Sequence, residues 1–336
     1  MVSIKDIAKI AGINVSSVSR ALSGSSEVGE ETRKRVEAIA KELGYTPNYS
    51  ARALVGKSTR LIGVIVPEIN SNYYTQIVNC IENKLNEKGY NLLIGITGFK
   101  SEKEVQNLDT FIGRKVDGVV ITSAIGDIDK VAADKKSRNL PVVFLEPIKQ
   151  INRLDCIYID GNYGVKLAVK HLFDLGHKSV GFIGEDLSTR YRLNAFKKSM
   201  EDFGIPFNEK YMRSGKERFE LGGYLRTREL LTIGDMPTAI FAVYDNFAIG
   251  AMRALQEAGL SVPKDISVIG YDNIRESEYL SVPLTTVSPP IVEMASKGME
   301  LLFKRIEEGG DGAAENTVLY PELIVRKSTS LPGRHI

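Results

Sequence analysis

Few residues in this 336-residue chain suit redox or metal chemistry: two cysteines, Cys80 and Cys156, and three histidines, His171, His177 and His335. The cysteines are isolated, Cys80 on an apolar helical face and Cys156 in a strand-like run, so two buried reduced thiols are expected rather than a disulfide. No cluster has metal-ligand spacing, and no nucleophile elbow or phosphate loop occurs, so neither a metal, a cofactor nor an enzyme is expected. Long apolar runs are missing too. The longest, such as Leu61 to Val66, are far too short to span a bilayer, and no charged start leads into an apolar stretch, so the expected location is the cytosol, with no membrane partner. A large charge of one sign is also lacking, the net being +2. Its distribution is uneven, however. Residues 1 to 60 carry ten Lys/Arg against six Asp/Glu, leaving the rest of the chain net negative. A basic end of this kind suits salt-dependent attraction to phosphates.

What is present begins at residue 3. Ile4, Ile7, Ala8 and Ala11 form one helical stripe with Ser3 as N-cap, and Val18, Ala21 and Leu22 form another after a Gly12-Ile13-Asn14 turn. This is the pattern of a helix-turn-helix that reads duplex DNA. Asn14 is placed to cap the second helix, and Val15, Ser16, Ser17 and Arg20 lie on its outer face, where a recognition helix meets the major groove. A third helix is expected from Glu30 to Leu43, with Val36, Ile39, Ala40 and Leu43 inward and Gly44 past its end. The segment from Tyr49 to Gly56 could form two helical turns but is too short to persist unaided in water.

From Leu61 the texture changes. Short Val/Ile-rich runs at Leu61 to Val66, Asn91 to Ile96, Gly118 to Thr122, Pro141 to Leu145 and Cys156 to Ile159 alternate with helices at Tyr73 to Lys88, Ser101 to Arg114 and Lys130 to Arg138. A second set has strands at Ser179 to Ile183, Pro237 to Val243 and Ile266 to Gly270. Its helices are expected at Asn162 to Leu175, Tyr191 to Phe203, Glu220 to Thr232 and Asn246 to Ala258. The expected architecture is a small all-α head followed by an α/β core of two doubly wound parallel-sheet lobes. Such sheets bind ligands beyond the carboxyl ends of their strands, so the cleft between the lobes is the expected ligand site.

The runs IleLysAspIleAlaLysIleAlaGly, ValSerArgAlaLeuSerGly, LeuGlyTyrThrProAsn, SerAlaArgAlaLeu and LeuIleGlyValIleValPro resemble the lactose-repressor (LacI/GalR) family of bacterial transcription regulators. The resemblance continues through LysValAspGlyValValIle, GlyHisLysSerValGlyPheIleGly, ProThrAlaIlePheAla, GlyTyrAspAsn and ProLeuThrThrVal, and so covers nearly the whole chain. It implies a DNA-binding head at 1–47, a hinge helix and linker at 48–60, and a core at 61–336 of periplasmic-binding-protein type I. Lobe 1 would take about 61–160 plus 290–320, and lobe 2 about 161–289 plus 321–331. The partners implied are palindromic double-stranded operator DNA, a second copy of the chain, and a small effector, by family habit a carbohydrate. No heptad repeat follows Leu331, so a homodimer is expected. A solute-binding protein shares such a core but leaves residues 1–60 without a role.

On the family pattern, Val15, Ser16 and Arg20 read base edges. A guanidinium can bond G O6 and N7 together, whereas the competing role for Arg20 is a phosphate contact. Ser3, Asn14 and Ser17 cap helices or meet phosphates. Leu54 matches an apolar wedge inserted into the minor groove, with Arg52 on a phosphate; the competing role for Leu54 is packing in a linker. Tyr73 and Tyr74 stand at the mouth of the first lobe, where aromatic faces suit sugar C–H surfaces or flat bases. Glu146, Asp160, Arg192 and Asp272 match ligand-facing positions, against ion pairing or strand-end capping, and Phe219 could stack from the second lobe. Two positions depart from the family. Tyr244 stands where an amide is common, and Glu146 is Glu where Asp is common, so ligand identity does not transfer.

Overall fold

The computed structural model describes residues 2–22, 27–45, 58–122, 140–147, 153–186, 189–309 and 312–333. They fall into two compact units, Met1–Thr59 and Arg60–Ile336. The expected hinge helix with Arg52 and Leu54, the expected helix at Lys130 to Arg138, and His335 lie outside the described residues.

The first unit contains α1 (Ile4–Ala11), α2 (Val15–Leu22) and α3 (Glu30–Glu42). Helix α1 starts where Ser3 donates its backbone N–H (2.8 Å) and hydroxyl (2.7 Å) to the Asp6 carboxylate. It stops at Gly12, whose φ of 67° turns the chain left-handed so that the Ile13 amide bonds the Ala8 carbonyl; this is the conformation glycine adopts without strain. Helix α2 begins where the Asn14 carbonyl accepts from Ser17 and Val18. The inward stripes meet in one core of Ile7, Ala8, Ala11, Val18, Ala21, Val36 and Ala40, with Ile4, Leu22, Ile39 and Leu43 packed around it. Three short helices are stable here because each buries its stripe on the other two.

The second unit holds two six-stranded sheets. The first contains β1 (Leu61–Val66), β2 (Asn91–Ile96), β3 (Gly118–Thr122), β4 (Val142–Leu145), β5 (Asp155–Ile159) and β11 (Asn316–Leu319), in the order β11-β5-β4-β3-β1-β2 and parallel throughout. The second contains β6 (Val180–Glu185), β7 (Met212–Gly215), β8 (Ala239–Ala242), β9 (Ser267–Tyr271), β10 (Thr285–Ser288) and β12 (Glu322–Ile324), in the order β12-β10-β9-β8-β6-β7. Only β12 pairs antiparallel among these. Helices cover both faces of the first sheet. Ile77, Ile81 and Leu85 of α4 (Asn72–Glu87) and Met294, Met299 and Leu302 of α11 (Ile291–Glu307) pack on Ile62, Val64 and Val66, while Leu108 and Phe111 of α5 (Ser101–Gly113) pack against Ile65. Successive β1 residues thus face opposite layers, which is why the run is apolar without alternation.

Around the second sheet run α6 (Gly161–Asp174), α7 (Thr189–Asp202), α8 (Phe219–Leu231), α9 (Asp245–Glu257) and the single turn α10 (Glu276–Tyr279). Helices α8 and α9 approach backbone to backbone: a Cβ on Gly223 would meet the Phe247 main chain, and one on Gly250 the Glu220 carbonyl. Helix α11 is tied to the sheet by charge as well as by packing. Buried Arg305 donates to both oxygens of buried Asp155 at 3.0 and 2.9 Å, and Asp155 also accepts from the Glu315 amide, fixing where β11 joins β5. Both cysteines are free; Cys156 is buried as expected, whereas Cys80 sits on the flank of α4 and is only partly covered.

Candidate functional site

In the head, α2 turns Val15, Ser16 and Arg20 to solvent and half-buries Ser17, while Asn14 is exposed beside them. Arg20 forms an exposed ion pair with Glu27 at 3.3 Å. Pairs of this exposure contribute little, so the guanidinium is easily redirected to a stronger acceptor.

In the core, the expected ligand-facing residues converge where the strands end. Tyr73, in the first turn of α4, is buried and donates its hydroxyl to Glu146, the residue that follows β4. The edge of Tyr74 meets Tyr73 at 5.2 Å and Phe99 at 6.4 Å. From the second lobe, Arg192 on α7 donates to the Val243 carbonyl (2.6 Å) and to Asp272 (3.3 Å), and lies 3.8 Å from the centre of the Tyr271 ring. Tyr244 is buried, and its hydroxyl accepts from the Phe219 amide at 3.1 Å. Asp160 stands slightly apart. It caps α6 by accepting from the Tyr163 amide at 2.9 Å, the competing role weighed for it above.

Backbone strain marks the same place. Seven described non-glycine residues have left-handed φ, and five of them are Phe99, Glu146, Phe219, Asp272 and Asn273, at strand ends or helix starts facing this region. Left-handed φ costs non-glycine side chains energy and persists where surrounding bonds enforce it. Here the Glu146 amide is held by the Ile157 carbonyl (2.7 Å) and the Asp272 amide by the Val287 carbonyl (2.8 Å).

Electrostatics follow from burial. Loss of water pushes the Asp272 carboxyl up to about 7, against the pull of Arg192 and with help from Asp245 and Glu146. Burial raises Glu146 as well, opposed by the Tyr73 hydrogen bond and Arg192. Tyr73 and Tyr244 are raised chiefly by desolvation and so remain phenols that can donate.

Further contributors escaped the reading of the sequence. Arg218 donates from the second lobe to both oxygens of Glu68 on the first, at 2.6 and 2.8 Å, with its Nε 3.3 Å from Glu185. Its guanidinium lies 5.0 Å from the Phe99 ring centre and 4.7 Å from that of Phe219. A second bond between the lobes runs from Asn72 to Glu276 at 2.9 Å. Asp245 is buried and accepts from the Ile274 amide (2.9 Å), Ser277 (2.6 Å) and Thr286 (2.5 Å), pinning the segment that carries Asp272 and Asn273. Adjacency was the available signal: Glu68 lies in the ProGluIleAsnSerAsnTyrTyr run, and Arg218 immediately precedes Phe219. His177 is committed elsewhere, with its ring nitrogens on Thr238 (2.8 Å) and the Ser330 carbonyl (2.9 Å).

A helix-turn-helix head followed by two parallel-sheet lobes with polar groups gathered between them defines a DNA-binding regulator built on a periplasmic-binding-protein-like core. Comparison with known proteins agrees. Residues 3–48 match the bacterial regulatory proteins of the lacI family, and residues 169–329 match the periplasmic binding protein-like domain. The chain is 34% identical over 332 residues to the HTH-type transcriptional regulator DegA of Bacillus subtilis, covering 97% of this chain and 98% of that protein. It is likewise 34% identical to the ribose operon repressor of Haemophilus influenzae and to the HTH-type transcriptional repressor PurR of Pasteurella multocida, each alignment covering 98% of both chains. Its fold matches the lac repressor dimer bound to operator and an anti-inducer with a TM-score of 0.85 and 30% identity, over 98% of this chain and 99% of that one. The chain belongs to the LacI family of bacterial transcription regulators. Its relatives are regulators rather than enzymes, and no helix among the described residues is long and apolar enough to cross a membrane.

Proposed function

We propose that the chain is a repressor that grips a palindromic operator as a homodimer and adjusts that grip when a small effector, a sugar or sugar derivative, is held between the lobes of its core. The carrying observation is the convergence of Tyr73, Glu146, Arg192, Phe219, Tyr244 and Asp272 on one region, with three of the six in strained backbone. Carboxylates and a planar guanidinium grip neighbouring hydroxyls two at a time, and aromatic faces cover the C–H surfaces between them. One relative being named for a ribose operon supports a carbohydrate. The flanking rings of Tyr74, Phe99 and Phe219 favour a flat nucleobase as the second reading.

In this reading residues 1–47 are the reader, 48–60 the hinge and linker with Leu54 as the minor-groove wedge and Arg52 on a phosphate, and 61–336 the sensor. Val15, Ser16 and Arg20 read base edges while Asn14 and Ser17 position the helix. Exposed apolar side chains support the dimer. Ile94 and Ile96 are 46% and 44% exposed on edge strand β2, and Leu221 and Tyr279 are 61% and 73% exposed on the second lobe. The effector couples to DNA by favouring one arrangement of the lobes, and either induction or corepression satisfies that linkage.

The test is a footprint on DNA upstream of the chain's own and neighbouring genes, repeated with sugars and nucleobases. A protected palindrome whose occupancy changes with one compound supports the proposal, and protection that ignores every compound counts against the sensor. In the same assay Arg20→Ala should lose about 1–3 kcal/mol of discrimination at one base pair while non-specific binding survives; unchanged discrimination would return Arg20 to a phosphate role.

A further inference from the structure

Arg192 and Arg218 are guanidiniums that the described residues bring to the region between the lobes, and both already have anionic partners. Arg192 carries Asp272, the Val243 carbonyl and the Tyr271 face. Arg218 holds both oxygens of Glu68, with Glu185 on its remaining nitrogen and aromatic rings of both lobes beside it. The two clusters are electrically one: the Tyr244 hydroxyl feels Glu185, Arg218 and Asp272 together, and Arg192 feels Asp272 and Glu146. Four carboxylates, on Glu68, Glu146, Glu185 and Asp272, therefore face two guanidiniums. Burial holds both Asp272 and Glu146 above the ordinary carboxylate range, and at Asp272 the neighbouring carboxylates Asp245 and Glu146 add to the rise.

Resting on the effector site proposed above, we infer that the cleft selects an uncharged or cationic donor-rich ligand, a neutral polyol or an amino sugar, and rejects its phosphorylated or carboxylated counterpart. A carboxylate only accepts hydrogen bonds, so its ligand must present donors: paired hydroxyls, an ammonium, or N–H groups. A phosphate or carboxylate brings acceptors to acceptors, and among the described residues both Arg192 and Arg218 already hold carboxylates. Discrimination then comes from the uncompensated repulsion more than from added attraction.

The test is calorimetric titration of the full chain near neutral pH with matched probes: ribose against ribose phosphate, glucose and glucosamine against glucuronate, and hypoxanthine against inosine monophosphate. In whichever series binds, the neutral or amino member should be tighter by about tenfold or more. An anionic member binding as tightly overturns the inference. Binding confined to hypoxanthine would remove the carbohydrate reading and leave the charge rule standing, whereas silence in all three series counts against both. Glu68→Gln offers an independent reading, because it strips Arg218 of its two-oxygen partner. The affinity gap between the neutral and anionic members should narrow by about threefold or more, and an unchanged gap contradicts the role given to the Arg218 cluster.

Discussion

Arg192 commits its guanidinium within its own lobe, to Asp272, the Val243 carbonyl and the Tyr271 ring, whereas Arg218 reaches from that lobe to Glu68 on the other. The same chemical group thus does two jobs. The contacts named for Arg192 lie within one lobe and do not depend on closure, so in the proposed site that side chain is a fixed element. The bonds from Arg218 to Glu68 exist only while the lobes are together, so they belong to closure. Charge around the cleft is therefore not one kind of interaction: in the proposed sensor, pairs within a lobe would shape the ligand site and pairs between lobes would set how easily it closes.

Four perturbations separate the two roles. The largest effect is expected from Asp245→Ala, which leaves three buried donors without their acceptor beneath the Arg192–Asp272 cluster. It should cost about 3 kcal/mol in a denaturant melt, and a loss below about 1 kcal/mol would show that the segment holds itself. Arg192→Ala should weaken effector binding about 100-fold and spare operator affinity; a normal response would mean that the ligand sits elsewhere. Arg218→Gln should weaken effector binding more modestly, about fivefold. Combined with Glu68→Gln in a double-mutant cycle, it should show coupling of about 1 kcal/mol because both partners are mostly buried. Additive losses would place Arg218 among the ligand contacts instead.

The smallest effect is a fraction of a proton. Asp272 titrates at about 7 when folded, above its unfolded value of about 3.9, so the protonated form is the more stable one. Its contribution to stability is complete below about pH 4 and is lost as pH rises through 7. A ligand donating hydrogen bonds to Asp272 favours the ionised carboxylate, so binding should release protons near pH 6–7 and tighten as pH rises through that window. Calorimetry in buffers of different ionisation heat reads this directly, and net proton uptake would reverse the assignment.

The sequence exposes what is periodic and apolar. The stripes of α1 to α3 and the runs Leu61–Val66 and Gly118–Thr122 signal burial residue by residue, and the structure buries them accordingly. Strands β7, β10, β11 and β12 are three or four residues long and read MetArgSerGly, ThrThrValSer, AsnThrValLeu and GluLeuIle. Their stability comes from a neighbouring strand rather than from their own pattern, so nothing local announces them. Helix α11 was legible in principle, since Ile291, Met294, Ala295, Gly298, Met299, Leu302 and Arg305 recur at helical spacing on its buried side. The charged member of that stripe, Arg305, interrupts the apolar pattern because its partner Asp155 is 150 positions away. Long-range pairing hid Arg218 and Asp245 as well: their roles depend on Glu68 and Thr286, which only the folded topology brings near.

Operator binding by the full chain, followed by fluorescence anisotropy with and without a compound that calorimetry has shown to bind, tests the central claim most directly when wild type and Arg192→Ala are run side by side. The account predicts that the compound shifts wild-type operator affinity by about tenfold or more and leaves the variant at its unliganded value. A compound that binds the wild type without moving operator affinity, or that moves the variant equally, would contradict it.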